Sequence, residues 1–311
     1  MSSVAAKAAP RTAQSSTTKG KGKHLNEKQR AERKLAYLLC APAVIAMLLV
    51  TAYPVVYALW LSLRRSDLRF PDASEFVGLT NYITVLTSST WWEVLGATTL
   101  ITVISVAIEL VLGMALALVM HRIIFFRGPV RAAILIPYGI ITVVAALSWQ
   151  YMFTPENGFI PGVSKSALLA DTTGQYIAII ATEVWKTTPF MALLLLAGLA
   201  IVPDELNEAA RVDGASAVQR FFRITIPLMK PAILVALLFR TLDAFRLFDS
   251  AFVLTNGDFR TVSILGYDQL ITRLNLGLGS AVSVLIFVCV LIIATLFVKG
   301  FGTAAPGAGD D

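Results

Sequence analysis

Six long apolar stretches constrain the fold of this 311-residue chain more than any other feature of its sequence. A helix needs about 20 mostly apolar residues to cross the hydrocarbon core of a bilayer, and in lipid it satisfies its own backbone hydrogen bonds. The sequence therefore predicts an all-α integral membrane protein with six transmembrane helices. The predicted spans are Leu35–Leu63, Glu93–Met120, Val130–Phe153, Tyr176–Val202, Leu228–Ala251 and Ser280–Val298.

The composition agrees with a membrane protein and disfavours several other classes. Only 15% of the residues are charged, whereas a soluble domain carries about 25%. Cys40 and Cys289 both lie in apolar stretches, so we expect no disulfide framework. The two histidines, His24 and His121, are too few for a histidine-based metal site. Because the sequence shows no paired-carboxylate, metal or nucleophile constellation near a membrane face, a membrane enzyme is disfavoured.

The distribution of Lys and Arg predicts the orientation. With the N-terminus in the cytoplasm, 17 basic residues fall on the cytoplasmic side and six on the opposite side. Cytoplasmic loops carry the excess of Lys and Arg, so both termini are expected in the cytoplasm. This topology accounts for the net charge of +6 without a nucleic-acid partner. We expect a partly disordered tail over 1–34, a membrane domain over 35–300 and a short tail over 301–311.

The segment from Val202 to Pro231 is too polar to cross the bilayer. Pro203 opens a helix, and Gly214 is a natural helix stop because glycine enters the left-handed conformation at no steric cost. Ser216 with Gln219 three residues later predicts a capping box at the start of a second helix. Residues 203–227 are therefore predicted to form a helix–glycine–helix elbow on the cytoplasmic side. The alternative is an amphipathic connector at the membrane surface that merely joins two spans.

A signature in this elbow resembles the EAA motif of ABC importer permeases. Ile226 stands where that motif usually has leucine. Three further stretches resemble carbohydrate-uptake permeases, so the resemblance extends over most of residues 35–300. The EAA positions are Glu208, Ala209, Ala210, Gly214, Ile224 and Pro227, and the further stretches are Phe76–Tyr82, Trp185 with Pro189–Phe190, and Arg246–Asp249 leading into Val253–Thr255. Arg240–Arg246 and Ser263–Asp268 look most like the first permease of a trehalose importer.

The resemblance implies an assembly in a bacterial plasma membrane. A type I ABC importer permease has six transmembrane helices and a cytoplasmic coupling helix, which is here the EAA elbow. It pairs with a second homologous permease, two ATPase subunits and an extracytoplasmic sugar-binding protein or lipoprotein. ATP and Mg would bind the partner ATPase, and no cofactor is expected on this chain, which has no G-x-x-x-x-G-K-[ST] phosphate loop. The expected substrate is a disaccharide, trehalose.

Charged residues inside the predicted spans need a reason, because each costs about 2.5–3.5 kcal/mol at mid-bilayer on insertion scales. Glu109 stands alone in the second span, where a structural hydrogen-bonded role is favoured. Glu183 and Lys186 are spaced to pair on one helix face. Four charges of alternating sign recur every three residues in the fifth span and predict either a pathway lining or a self-neutralising ladder that locks the span. The translocation candidates are Trp185, Lys186, Arg240, Asp243, Arg246 and Asp249.

Further aromatic and amide side chains suit a sugar, which has an apolar face and a ring of hydroxyls. They are Tyr138, Trp149, Gln150, Phe190, Phe245 and Phe248. For any one of the aromatic residues, packing or anchoring at the membrane interface is the favoured alternative. The rival function is a secondary transporter or channel, which the small number of spans, the absence of a visible repeat and the elbow all disfavour.

Overall fold

The computed structural model describes residues 27–123, 125–153 and 169–301, and the chain divides after Pro54 into two units. The described part of the first unit, residues 27–54, belongs to helix α1 (Glu27–Ser62), which continues into the second unit. From Tyr37 onward α1 is long and apolar enough to cross a membrane. Both predicted tails lie largely outside the described residues.

In its described residues the second unit is mostly helical, with one short hairpin. Strands β1 and β2 pair antiparallel, with Arg64 opposite Phe76. The elements are β1 (Arg64–Arg65), a 3₁₀ turn (Pro71–Ala73), β2 (Glu75–Phe76), α2 (Thr80–Leu86), α3 (Ser89–Arg122), α4 (Arg127–Gly139), α5 (Thr142–Met152), α6 (Thr172–Leu199), α7 (Asp204–Val212), α8 (Ala217–Arg220), a π-helical turn (Phe221–Thr225), α9 (Ile226–Phe245), α10 (Asp249–Leu254), α11 (Val262–Tyr267), a second π-helical turn (Asp268–Thr272) and α12 (Leu276–Phe301).

Five helices in the described ranges are long and apolar enough to span a bilayer, and one bent pair makes a sixth. This agrees with the predicted number of spans. The bent pair is α4 and α5, which meet at 86° within the stretch that we predicted as one span. Pro137, in the last turn of α4, has no N–H to donate, and Ile140 and Ile141 are extended. The proline therefore marks a true break in the span.

The fifth span also differs from its predicted limits of Leu228 and Ala251. It starts in the elbow, because α8, the first π-helical turn and α9 form one continuous helix from Ala217 to Phe245. The wider π-helical turn lies just before Pro227, which therefore does not end the helix. The span then stops at Phe245, so Asp249 begins a separate short helix, α10. Our prediction of one helix through to Ala251 was wrong.

Helices α3, α6 and α9 pack closely because glycines lie at their contacts. A Cβ added to Gly113 of α3 would lie 2.8 Å from Cγ of Met191 on α6. A Cβ added to Gly198 of α6 would lie 2.5 Å from Cβ of Ala232 on α9. Small residues at such positions let membrane helices approach closely, which brings the polar residues of these three helices within hydrogen-bonding distance.

The Phe76–Tyr82 stretch has a structural role at the opposite end of the membrane domain from the elbow. The side-chain amide of Asn81 donates to the carbonyl oxygens of Ser62 at 2.8 Å and Arg64 at 2.9 Å. The Tyr82 hydroxyl lies 2.6 Å from Oγ of Ser62. Gly78 has a φ of +56°, in the left-handed region. The stretch thus fixes the chain where it leaves α1.

Candidate functional site

The centre of the membrane domain is a buried guanidinium, that of Arg240 on α9, which is 1% exposed. Its Nε donates to Oε2 of Glu109 at 2.6 Å, and its Nη2 donates to Oε1 of the same carboxylate at 3.0 Å. Nη2 also donates to Oε2 of Glu183 at 3.0 Å. Nη1 donates to Oδ2 of Asp243 at 2.8 Å. One cation is therefore shared by three carboxylates.

Hydroxyl groups complete the binding of the two buried glutamates. The Thr187 hydroxyl donates to Oε1 of Glu109 at 2.8 Å, and the Ser250 hydroxyl donates to Oε1 of Glu183 at 2.6 Å. Glu109 comes from α3, Glu183 and Thr187 from α6, and Ser250 from α10. Together with Arg240 these residues form the ion cluster, in which four helices meet. A buried charge is tolerated only when it is paired and hydrogen-bonded, as every charge in the cluster is.

The ion cluster agrees with one expectation from the sequence and corrects another. Glu109 has the expected structural, hydrogen-bonded role, because Arg240, which lies 131 positions away in the chain, binds it bidentately. Glu183 pairs with Arg240 rather than with its helix neighbour Lys186. Neither glutamate was among our candidate site residues. The signal that could have identified them was the presence of two acidic residues and one basic residue on three separate spans, where each needed a partner.

Asp243 is the exposed member of the group around Arg240. Its side chain is 71% exposed, although it lies on a membrane-spanning helix and is bound by Arg240. Val235 and Phe239 precede it on the same helix face and are 48% and 57% exposed. Because an ionised carboxylate is costly in hydrocarbon, this face of α9 must meet water or another protein rather than lipid.

The predicted ladder of four charges exists only at its first step. Arg240 and Asp243 pair, but α9 ends at Phe245, so Arg246 and Asp249 do not continue the same helix face. Both are exposed, and no ion pair joins them to each other or to Asp243 in the described part of the chain. The break is stabilised by the Thr261 hydroxyl, which donates to the Leu247 carbonyl at 2.9 Å. The prediction from helical spacing is wrong beyond Phe245, because the chain leaves the helix there.

Lys186 lies beside the break between α4 and α5. It is only 9% exposed, and its ammonium nitrogen lies 5.6 Å from the ring centroid of Tyr138. The Tyr138 ring stacks on Phe190 at 5.1 Å, and Trp149 meets Trp185 edge to face at 6.0 Å. Tyr138 thus contacts both Lys186 and Phe190, and Trp149 with Trp185 forms a second aromatic pair between α5 and α6. In the described part of the chain this lysine makes no ion pair, so its ammonium is held by the face of an aromatic ring.

Three other candidates lie elsewhere. Phe245 is 3% exposed and packs in a core cluster with Val262 and Val282. Phe248 stacks on Phe252 at 5.4 Å. The Gln150 side-chain amide donates to the carbonyl oxygen of Val253 at 3.0 Å, at the end of α10. Gln150 and Phe245 therefore hold the protein together rather than offering free groups to a ligand.

The elbow has the predicted turn and caps. Gly214 has a φ of +82°, and the amides of Gly214 and Ala215 donate back to Arg211 and Ala210 at 3.2 and 2.9 Å. This is a Schellman motif, which ends α7. Both bonds of the capping box between Ser216 and Gln219 are present. The second half of the elbow is the start of the fifth span, so the elbow and that span share one continuous helix.

The surface of the elbow combines exposed apolar and charged groups. Glu208 and Ala209 are exposed. The large apolar side chains of Leu206, Val212, Val218 and Phe222 are 45%, 88%, 65% and 63% exposed. A cleft of about 290 Å³ separates the elbow from the ends of α3 and α6, and Arg122, Glu208, Arg211 and Arg220 are among its lining residues.

Comparisons with known proteins identify the family to which this chain belongs. The family described as binding-protein-dependent transport system inner membrane component matches residues 109–304. The trehalose transport system permease protein SugA of Mycobacterium tuberculosis is 57% identical over 281 residues, which cover 89% of this chain and 92% of SugA. The trehalose/maltose transport system permease protein MalF of Thermococcus litoralis is 40% identical over 278 residues, covering 86% of this chain and 94% of MalF.

A solved structure has the same fold. It is a chain in the crystal structure of a bacterial ABC transporter involved in the import of the acidic polysaccharide alginate. The TM-score is 0.73 at 19% identity, over 90% of this chain and 99% of that chain. The predicted fold, that of the type I ABC importer permeases, is confirmed.

The hydrogen bonds of Arg240 predict that removing Arg240 and removing its exposed partner Asp243 affect stability unequally. Arg240→Gln leaves two buried carboxylates unpaired, so we expect a loss of about 3–5 kcal/mol in the free energy of unfolding. Asp243→Asn removes only the exposed partner, so we expect a loss of about 1 kcal/mol or less. Reversible unfolding of the purified protein in mixed micelles measures both values.

The double variant Glu109→Gln, Arg240→Gln is the control, because it removes one of the two orphaned charges. It should recover part of the stability that Arg240→Gln loses, as expected for coupled residues. Equal losses for Arg240→Gln and Asp243→Asn, or strictly additive losses in the double variant, would contradict the geometry of the cluster.

Proposed function

Because the chain belongs to the family of inner membrane components of binding-protein-dependent transport systems, we propose that it is the permease subunit of an ATP-driven importer of trehalose. The observation that carries the substrate is the similarity to SugA, a trehalose permease, at 57% identity over 89% of this chain. MalF of Thermococcus litoralis, named for trehalose and maltose, supports the same substrate class at 40% identity.

The proposed assembly contains a second homologous permease, two ATPase subunits and an external sugar-binding protein. The exposed apolar side chains of the elbow support an ATPase contact, since an apolar surface at the membrane-proximal end of a soluble loop is suited to a protein partner. The excess of basic residues on the elbow side supports a cytoplasmic location for the elbow and for both termini. ATP and Mg would bind the ATPase subunits, and this chain would transmit their movement.

The continuous helix from Ala217 to Phe245 suggests how this transmission occurs. The elbow forms one end of the helix, and Arg240 with Asp243 lies near the other. Arg240 lies 23 positions after Ala217, which corresponds to roughly 35 Å of helix at 1.5 Å per residue. A movement imposed on the elbow would therefore reach the centre of the membrane domain through one rigid element.

We assign the translocation pathway to the exposed face that carries Asp243. Arg240 acts there as a positioning residue: it holds Oδ2 of Asp243 and leaves Oδ1 to accept hydrogen bonds from sugar hydroxyls. Trp185, 39% exposed, offers an aromatic face, and Lys186 lies next to it in the chain. Arg246 and Asp249, both exposed beyond the end of α9, would line the outer part of the same pathway.

Transport by the reconstituted complex tests the function. In proteoliposomes that contain this chain, its partner permease and the ATPase, with binding protein added outside, labelled trehalose should accumulate only when the ATPase has access to ATP. Glucose and glycerol 3-phosphate, added in excess, should not compete. Trehalose accumulation driven by an ion gradient without ATP would instead indicate a secondary transporter, and ATP-dependent uptake of a different solute would contradict the assigned sugar.

Substitutions of Gly214 test coupling through the elbow. A residue with a Cβ pays about 1–2 kcal/mol in the left-handed conformation, whereas Asn tolerates it. No described atom lies within 4 Å of a Cβ built at Gly214, so the conformation alone decides the outcome. We expect Gly214→Val to lower trehalose-stimulated ATPase activity about tenfold, since 1.4 kcal/mol corresponds to a factor of ten. Gly214→Asn should retain most of the activity.

Membrane insertion and the amount of assembled complex are measured for both variants, so that lost coupling is distinguished from lost protein. Full activity of Gly214→Val would show that the elbow is only a connector. Equal loss of activity in Gly214→Val and Gly214→Asn would show that the side-chain volume matters rather than the backbone conformation.

A further inference from the structure

A second polar cleft lies at the opposite end of the membrane domain from the elbow. It encloses about 240 Å³ between α2, the start of α3, the second π-helical turn and the start of α12. We call it the outer cleft. Its apolar floor includes Trp91, and its polar lining includes Thr84, Ser88, Arg260, Gln269 and Arg273.

The polar groups of the outer cleft have hydrogen-bonding capacity that the protein does not use. Gln269 is 9% exposed, and its side-chain amide has no hydrogen-bond partner among the described residues. Arg260 is exposed and makes no ion pair with any described residue. Arg273 donates from Nε to Oδ2 of Asp268 at 2.9 Å, so its two terminal nitrogens remain available. These donors line one cleft, so together they can hydrogen-bond to an oxygen-rich ligand.

The charge of these groups defines the ligand. Arg260 and Arg273 contribute two positive charges and Asp268 one negative charge, which leaves a net charge of about +1. Guanidinium groups bind phosphate oxygens in a bidentate manner, and the Gln269 amide and Ser88 hydroxyl supply further hydrogen bonds. The lining therefore matches a phosphate ester with a single negative charge. A zwitterionic headgroup would bring an ammonium group, whereas the carboxylate of Asp268 is already bound by Arg273.

The position of the outer cleft favours a membrane lipid as the source of that phosphate. Two spans, α3 and α12, begin at Ser89 and Leu276, so the cleft lies at the level where helices enter the bilayer. Large apolar side chains near the cleft in sequence are exposed: Ile83 59%, Leu86 40%, Trp92 58% and Ile271 57%. An exposed tryptophan at the end of a span is typical of the membrane interface, where phospholipid phosphates also lie.

We propose that the outer cleft binds the headgroup of an anionic phospholipid. The phosphodiester lies between the guanidinium groups of Arg260 and Arg273 and accepts a hydrogen bond from the Gln269 amide. The acyl chains then extend along the apolar surfaces of α3 and α12. Such a lipid would occupy the contact between α2, α3 and α12 and brace the part of the protein that faces the external binding protein.

Native mass spectrometry of the detergent-purified complex tests this site. The wild-type complex is incubated with phosphatidylglycerol or with phosphatidylcholine of the same acyl chains. We expect one more tightly held phosphatidylglycerol than in the double variant Arg260→Gln, Arg273→Gln, in which its affinity should fall at least tenfold. The single variant Gln269→Leu should weaken the same binding without changing the charge.

Arg69→Gln is the matched control, because it removes a positive charge from the same end of the protein but outside the cleft. Its guanidinium already binds Asp67 and, mainly through the side-chain hydrogen bond, lowers the pKa of that carboxyl to about 2. The control should bind phosphatidylglycerol like the wild type.

Four results would overturn the proposal. The first is equal binding of phosphatidylglycerol by the wild type and the double variant. The second is equal loss in the Arg69→Gln control, which would indicate general charge attraction. The third is full displacement of the lipid by millimolar inorganic phosphate, which would indicate a site for free phosphate. The fourth is unchanged lipid binding with lost affinity for the external binding protein, which would assign the two arginines to protein docking.

Discussion

The buried guanidinium of Arg240 is the constraint on which the rest of the membrane domain depends. A cation in hydrocarbon must be paired, and Glu109 from α3 and Glu183 from α6 supply the pairing. Ser250, at the start of α10, binds the second of these glutamates. The relative positions of four helices are thereby fixed by one hydrogen-bonded group. The glycine contacts of α6 with α3 and α9 make this possible, because they bring the helices close enough for these short side chains to meet.

The same constraint links structure to the proposed transport. Three carboxylates share one guanidinium, and only Asp243 among them is open to its surroundings. The buried pairs hold Arg240, and Arg240 holds Asp243 in a defined direction. The helix that carries both residues begins in the elbow, so the proposed ATPase contact and the proposed pathway lie on one rigid element. The breaks after Gly139 and Phe245 lie beside side chains of the proposed pathway, namely Lys186 at the first and Arg246 at the second.

The sequence predicted what depends on composition and local spacing. Hydropathy located the spans, and Gly214 with the Ser216–Gln219 pair identified the turn and cap of the elbow, because these motifs act over a few residues. The predictions from the sequence were wrong or incomplete where contacts between residues far apart in the chain determine the structure. The partners of Glu109 and Glu183 lie 131 and 57 positions away. The chain that leaves α9 after Phe245 is bound by Thr261, whose hydroxyl donates to the Leu247 carbonyl from 14 positions further on. Apolar patterning carries no information about such breaks.

The accessibility of position 243 tests the central claim most directly. Cys40 and Cys289 are first replaced by Ala, and Asp243→Cys is introduced into this otherwise cysteine-free chain in the complex in proteoliposomes. A membrane-impermeant thiol reagent should label this chain at position 243, because the exposed face of α9 is proposed to line an aqueous pathway. Labelling only by a lipid-soluble reagent would contradict the account.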